Sequence, residues 1–188
     1  KDGTKPAEKV LLLTPVAVQM SGEVAEWGAE AMPRNVVGRF GTRQLPAVFS
    51  GNQFVVTLSR VRRQDMVSIE ASTPRVQYRS LLGSAELLKR QAGTDGVVNL
   101  SENPGLRVTP LSSAIHFFAS RELGGRLPVS DDELDKAMRA IYSPDLAPAS
   151  NLMSQAAVGT LTLPVDYANG HALLSNRDPY RVFLNANT

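Results

Sequence analysis

Two short stretches in the middle of the chain decide the fold: Gln53-Phe54-Val55-Val56-Thr57-Leu58-Ser59 and Met66-Val67-Ser68-Ile69-Glu70-Ala71-Ser72. In both, side chains alternate between two faces, the pattern of a β-strand buried on one side. The polar residues 60–65 between them predict a tight antiparallel connection. The buried faces are expected to carry Phe54, Val56 and Leu58 on the first strand, and Val67, Ile69 and Ala71 on the second.

The β pattern extends outward from these strands over residues 15–83. Val16, Val18 and Met20 alternate upstream, and we expect Gly22 to end that strand. A further strand is predicted at 76–82. Short strands separated by Gly and Pro turns are typical of an antiparallel β-sandwich.

After Gly83 the apolar period becomes helical. Ser84 is a predicted N-cap for a helix at 85–91, and Thr109-Pro110 predicts a helix that ends at Gly124-Gly125. Ser130 to Glu133 forms a capping box with acids in the first turn, which predicts a third helix. Two more helices are expected, one from Pro148 and a short one over 178–184.

Strands followed by helices predict an α+β fold and argue against a Rossmann-type sheet. We expect a β-sandwich domain at 10–105 and a small helical domain at 106–188. The polar start, residues 1–9, predicts a linker or a processed N-terminus.

The amino-acid composition excludes several kinds of catalytic and metal-binding site. The 188 residues include no Cys, which excludes disulfides, thiol nucleophiles and Cys-ligated zinc. The net charge is only +2, but residues 34–90 hold ten basic side chains against three acidic ones, a local charge of +7. Such a cationic segment attracts anionic partners of many kinds.

The cationic segment supplies the candidate binding residues. Its arginines could equally be solvated side chains on outward strand faces. Nucleic acid is not the favoured partner, because exposed aromatic stacking platforms are not evident and the predicted helices are acidic. The candidate surface residues are Arg60, Arg62, Arg63, Arg75 and Arg79.

Residues 95–102 partly match the sequence pattern of a calcium-binding loop. Read as the second half of an EF-hand loop, Asp95, Asn99 and Glu102 take positions 5, 9 and 12. Positions 1 and 3 fall on Gln91 and Gly93, which carry no carboxylate. We expect a metal-free turn here, with a weak calcium site as the alternative.

Catalytic motifs are not found. Of the two histidines, His116 lies between Ile115 and Phe117 and is expected to be packed, and His171 lies in a predicted turn. No H-E-x-x-H, nucleophile elbow or phosphate loop is present. We therefore predict a protein that is not an enzyme and needs no cofactor.

A resemblance adds a cellular context. Residues 16–83, with Ser21-Gly22-Glu23-Val24 and the two strands quoted first, resemble the Ig-like or carboxypeptidase-regulatory-like β-sandwich domains of bacterial secreted and envelope proteins. The stretch from Gly93 to Ala114 is similar to the helical segment that follows such domains. The resemblance implies a non-catalytic module that is periplasmic, displayed on the cell surface or secreted. It assigns no functional residue.

The leading hypothesis is a binding or scaffold module that docks a protein or an anionic envelope polymer. One alternative is a hydrolase that uses His116 with a nearby Ser or carboxylate. The other is a nucleic-acid-binding protein that uses the Arg-rich middle segment. No apolar run of about 18 residues is present, so no transmembrane helix is expected.

Overall fold

The computed structural model of the chain describes residues 17–25, 33, 35–73 and 77–161. These residues form a mixed α+β fold with a large sheet and four helices. The strands are β1 Val18–Val24, β2 Asn35–Phe40, β3 Arg43–Ser50, β4 Gln53–Leu58, β5 Met66–Ser72, β6 Gln77–Ser84, β7 Val97–Val98 and β8 Arg107–Val108. The helices are α1 Ala85–Gln91, α2 Pro110–Glu122, α3 Asp131–Ala140 and α4 Leu146–Val158.

The sheet has the strand order β6-β5-β2-β3-β4-β1-β7, and β8 also pairs with β1. The six longer strands pair antiparallel, whereas the two-residue strands β7 and β8 run parallel to β1. Because β8 also lies against β6, the two ends of the sheet approach each other. The result is a nearly closed barrel.

Strand β3 joins the two halves of the barrel, because it pairs with a different strand along each half of its length. Its first half, Arg43–Pro46, pairs with β2, and its second half, Ala47–Ser50, pairs with β4. The change of partner falls at Pro46, a residue that cannot donate a ladder hydrogen bond. Each half of the sheet can therefore face the other across the interior.

The interior is filled by the alternating apolar positions that the sequence predicts. Phe54, Val56 and Leu58 of β4 are buried, as are Val67 and Ile69 of β5. On β2, a Cβ added to Gly38 would lie 2.8 Å from Val56 Cγ1, so the absence of a side chain lets the two halves pack closely. The same cluster of buried side chains includes Phe117 and Phe118 of α2 and Met153 of α4.

Polar groups from the second half of the chain cover the outer edge of β6. Asn103 Nδ2 donates to the Leu82 carbonyl at 2.9 Å. Gly105 comes so close that an added Cβ would lie 2.6 Å from the Leu81 carbonyl oxygen. The Asn103 hydrogen bond satisfies the Leu82 carbonyl, and the Gly105 backbone covers the Leu81 carbonyl, so this edge of the strand is not left open.

The helix predictions are largely confirmed. Ser84, Thr109 and Ser130 each accept a backbone hydrogen bond as N-caps of α1, α2 and α3. Helix α4 begins at Leu146, two residues before the predicted Pro148, and ends at Gly159 in the left-handed conformation. The predicted linker 1–9, the helix at 178–184 and His171 lie outside the described residues.

Some strand predictions were wrong. Gly22 does not end β1, because it lies inside the strand opposite Phe54. Strands β2 and β3 were predicted only as part of a general β pattern, β7 lies in a segment predicted to be a metal-free turn, and no strand was predicted at β8. The tight antiparallel connection predicted at 60–65 was wrong, because β4 and β5 do not pair and are separated in the sheet by β2 and β3. No helix among the described residues is both long and apolar enough to cross a membrane.

Candidate binding surface

The connection between β4 and β5 is a firmly held cationic turn. Its residue Val61 is buried in the core. The Arg62 N–H donates to Asp65 Oδ2 at 2.9 Å, and the Asp65 N–H donates to the Arg62 carbonyl at 3.0 Å. From the start of α1, the Ala85 N–H donates to Asp65 O and the Glu86 N–H to Arg63 O, at 2.9 and 2.8 Å. The turn is thus fixed to itself and to α1.

The side chains of this turn project outward. Arg60, Arg62 and Arg63 are all exposed. Arg60 adopts φ 57°, the left-handed conformation that residues with a side chain seldom adopt. Arg63 Nε lies 3.5 Å from Glu86 Oε2, whereas Arg60 and Arg62 form no ion pair with any described residue. Two guanidinium groups are therefore presented to solvent on a fixed backbone.

Arg43 joins this turn from a distant part of the sequence. Its Nη1 donates to the Arg60 carbonyl at 3.2 Å, and its guanidinium lies over the Phe40 ring, 4.9 Å from the centroid. Phe40 and Arg43 face each other across the Gly41 turn between β2 and β3. Sequence reasoning counted Arg43 in the cationic segment but did not select it, since only strand pairing places it beside Arg60.

Helix α1 adds two further basic residues. Lys89 and Arg90 are exposed in its last turn, three and four residues after Glu86. We call the whole set the cationic end of the barrel. Its members are Arg43, Arg60, Arg62, Arg63, Lys89 and Arg90. Among the described residues, the carboxylates bonded to this set are Asp65 and Glu86, and Asp131 binds Ser84 at the start of α1.

Arg79 lies in a different cluster from the cationic turn. Its Nε donates to Glu70 Oε2 at 2.8 Å, and Arg39 Nη2 donates to Glu70 Oε1 at 2.9 Å. Burial acts to raise the pKa of the Glu70 carboxyl, but hydrogen bonds and charges of the two guanidinium groups outweigh it and hold that pKa below its ordinary value. Arg75 lies outside the described residues.

The proposed calcium ligands are engaged in local turns. Asp95 Oδ1 accepts from the Val97 N–H at 2.9 Å, and Glu102 Oε2 accepts from the Asn99 N–H at 2.8 Å. Asn99 Oδ1 accepts from both the backbone and the hydroxyl of Ser101. Each side chain thus has a role in shaping the loop. Among the described residues, no group of three or more His, Asp or Glu is arranged to hold a metal ion.

His116 is buried in α2, with its ring edge-on to Phe117 at 5.7 Å between centroids. This agrees with the expected packed position. The nearest hydroxyls in sequence have structural partners: Ser112 belongs to the cap of α2, and Ser113 binds the backbone of Arg79. The hydrolase hypothesis stays a prediction.

Comparisons of the chain with protein-family models, with curated proteins and with solved structures return no match.

Proposed function

We propose that this chain is a non-catalytic binding module that docks an anionic polymer of the bacterial cell envelope through the cationic end. The observation that carries the proposal is the pair of exposed guanidinium groups, Arg60 and Arg62, on a turn whose backbone is held by four hydrogen bonds.

The rigidity of the turn favours binding. A flexible cationic loop loses conformational entropy when it meets its partner, and a loop already fixed to α1 and to the core loses less. The planar guanidinium also matches carboxylate and phosphate groups in two-point hydrogen bonds. A fixed turn with several arginines therefore suits a repeating anionic ligand.

The charge distribution supports a polymer over a single small anion. The cationic end spreads six basic side chains over the β2–β3 turn, the β4–β5 turn and α1, and the described carboxylates bonded to it are Asp65 and Glu86. Charges arranged over such a surface act together at long range and steer a polyanion toward it. An extracytoplasmic location and an Ig-like relationship remain parts of this proposal, supported by the sequence resemblance.

The test uses the intact chain and two defined polyanions, poly-L-glutamate and polyphosphate, immobilised and titrated over a range of salt concentrations. Arg60→Glu/Arg62→Glu is compared with Lys136→Glu/Arg139→Glu on α3, a control with the same change in net charge. We expect the first variant to bind about tenfold or more weakly than the second. Circular dichroism and thermal unfolding confirm that both variants are folded.

Equal loss of binding in both variants would show a general charge effect and overturn the assignment to the cationic end. Absence of binding by the unmodified chain to both polymers would overturn the proposal itself. Tighter binding to double-stranded DNA than to either polymer, with affinity falling steeply with salt, would replace it with the nucleic-acid hypothesis.

A further inference from the structure

A second group of charged side chains lies on the outer face of three neighbouring strands, away from the turn at residues 60–63. Glu70 of β5 pairs in register with Val37 of β2 and with Arg79 of β6. Arg39 lies two residues beyond Val37 and so shares its face. The three charged side chains thus form one row across β2, β5 and β6.

The carboxylate at the centre of this row is almost completely buried. The Glu70 side chain is 5% exposed, whereas those of Arg39 and Arg79 are 29% and 26% exposed. Both arginine side chains are therefore partly exposed while a common carboxylate holds them. Two positive charges against one negative charge leave the row with a surplus of +1.

The two arginines differ in their remaining donors. With the Gln44 amide oxygen turned toward Arg39, it accepts from both Nη1 and Nη2 of that residue at 2.9 Å. Both outer nitrogens of Arg39 therefore already have partners, Glu70 and Gln44. Arg79 uses only Nε toward Glu70, and its Nη1 and Nη2 donate to no described residue. Within the described part of the chain, the outer edge of the Arg79 guanidinium thus keeps open donors.

The position of Arg79 is fixed by its backbone as well as by Glu70. Ser113 of α2 binds both the N–H and the carbonyl of Arg79, at 2.9 and 3.2 Å. The Arg79 side chain is thus held at both ends, at its backbone by Ser113 and at its Nε by Glu70. An arginine held at both points loses little freedom when its outer nitrogens bind a ligand.

We infer that Arg79, oriented by Glu70 and supported by the charge of Arg39, binds an oxyanion group, a carboxylate or a phosphate, on the face of β2, β5 and β6. The Nη1 and Nη2 edge donates to two oxygens of the anion. This subsite takes one anionic group, unlike the extended cationic end, and it does not depend on the function proposed for that end.

The experiment follows the side-chain Nε–H signals of arginine and the backbone amides by NMR in the intact, ¹⁵N-labelled chain. Inorganic phosphate and acetate are the probes, each added at constant ionic strength. We expect saturable shifts at Arg79, at Arg39 Nε–H and at the Glu70 amide. In Arg79→Gln, the shift at Arg39 should require about tenfold more anion or become non-saturating.

Arg121→Gln is the matched control, because Arg121 is also half-buried and ion-paired, with Glu122; it should leave the shifts unchanged. If Arg79→Gln does not fold, Arg79→Lys decides, since lysine keeps the charge beside Glu70 but lacks the two-nitrogen edge. Saturation by phosphate alone or acetate alone identifies which oxyanion binds. Absence of saturable shifts with both probes, or unchanged shifts in the decisive Arg79 variant, would overturn the inference.

Discussion

Ser113 Oγ accepts a hydrogen bond from the Arg79 N–H and donates one to the Arg79 carbonyl, at 2.9 and 3.2 Å. At the outer edge of β6, one side chain of α2 thus makes the two backbone hydrogen bonds that a neighbouring strand would otherwise make. Together with Asn103 and Gly105, it covers an edge that could otherwise pair with another chain. The chain that follows β6, including α2, therefore satisfies and covers the outer edge of the sheet.

Ser113→Ala should lower the free energy of unfolding by about 1–3 kcal/mol, because it leaves two backbone groups of Arg79 without this partner. Urea denaturation measures the change. The control is Ser120→Ala, whose exposed hydroxyl donates to the Arg126 carbonyl, and a change within about 0.5 kcal/mol is expected there. Equal changes in the two variants would contradict the role of Ser113.

Tyr78 connects the sheet to α4 through its hydroxyl, which donates to the Met153 carbonyl at 3.0 Å. Tyr78→Phe should cost about 1–3 kcal/mol at neutral pH, because the buried carbonyl loses this donor. Tyr142→Phe, at an exposed position, should change the free energy of unfolding by less than about 0.5 kcal/mol. A Tyr78→Phe variant as stable as the Tyr142→Phe control would contradict the proposed link.

The same tyrosine gives an alkaline prediction. Burial raises the pKa of Tyr78 above its ordinary value. The folded state therefore holds the phenol proton more tightly than the unfolded state, and this stabilisation is present below about pH 10 and is lost as pH rises above it. The stability difference between the unmodified chain and Tyr78→Phe should shrink between about pH 9 and pH 11. A constant stability difference over that pH range would contradict a raised pKa for Tyr78.

Glu70 predicts the opposite pH dependence. Burial would raise the pKa of its carboxyl, but Arg39 and Arg79 together lower it. Its stabilisation is therefore present above about pH 4.3, the value in unfolded chains, and is lost as pH falls through the lower pKa of the folded state. Glu70→Gln should cost about 1–3 kcal/mol at pH 7 and progressively less in acid.

Urea midpoints at pH 7 and at about pH 3 measure this difference. Glu122→Gln, at an exposed position in α2, is the control and should show a small change at both pH values. A Glu70→Gln cost that stays the same in acid would show that the carboxylate charge is not the stabilising feature.

Gly38→Ala tests the close approach of the two halves of the barrel. The new methyl group would lie 2.8 Å from Val56 Cγ1, and such overpacking costs about 1–3 kcal/mol. Val56→Ala removes the clashing atoms and leaves a cavity of its own. In a double-mutant cycle, the combined variant should lose less stability than the sum of the two single changes. Additive losses would show that these residues do not meet across the interior.

Local features were predictable wherever the governing interaction spans only a few residues. The alternation in β4 and β5, and the caps Ser84, Thr109 and Ser130, depend on neighbours within one turn or one strand. The role of Gly22 was predicted wrongly because it depends on residues that are distant in the sequence. A glycine in a strand pattern signals a close approach as readily as an end, and only the position of Phe54 and Leu106 against it shows which applies.

The candidate surface was predictable in part. The charges of Arg60, Arg62 and Arg63 are evident from the sequence, but whether an arginine is paired depends on residues from other strands and helices. Arg79 looked equivalent to those three, yet its carboxylate partner is nine residues away on β5. Arg43 was overlooked because its contact with Arg60 arises from two separate chain reversals.

The sequence by itself determined the α+β composition of this protein, the caps of three helices and the cationic character of its middle segment, since each follows from side-chain type and short-range spacing. Only the tertiary structure decided that the sheet curls into a nearly closed barrel, that Ser113 completes the edge of β6, and which arginines pair with Glu70. Those outcomes depend on strand pairing and packing between distant residues, where the loss of chain entropy is balanced by burial of the whole core and not by any local pattern.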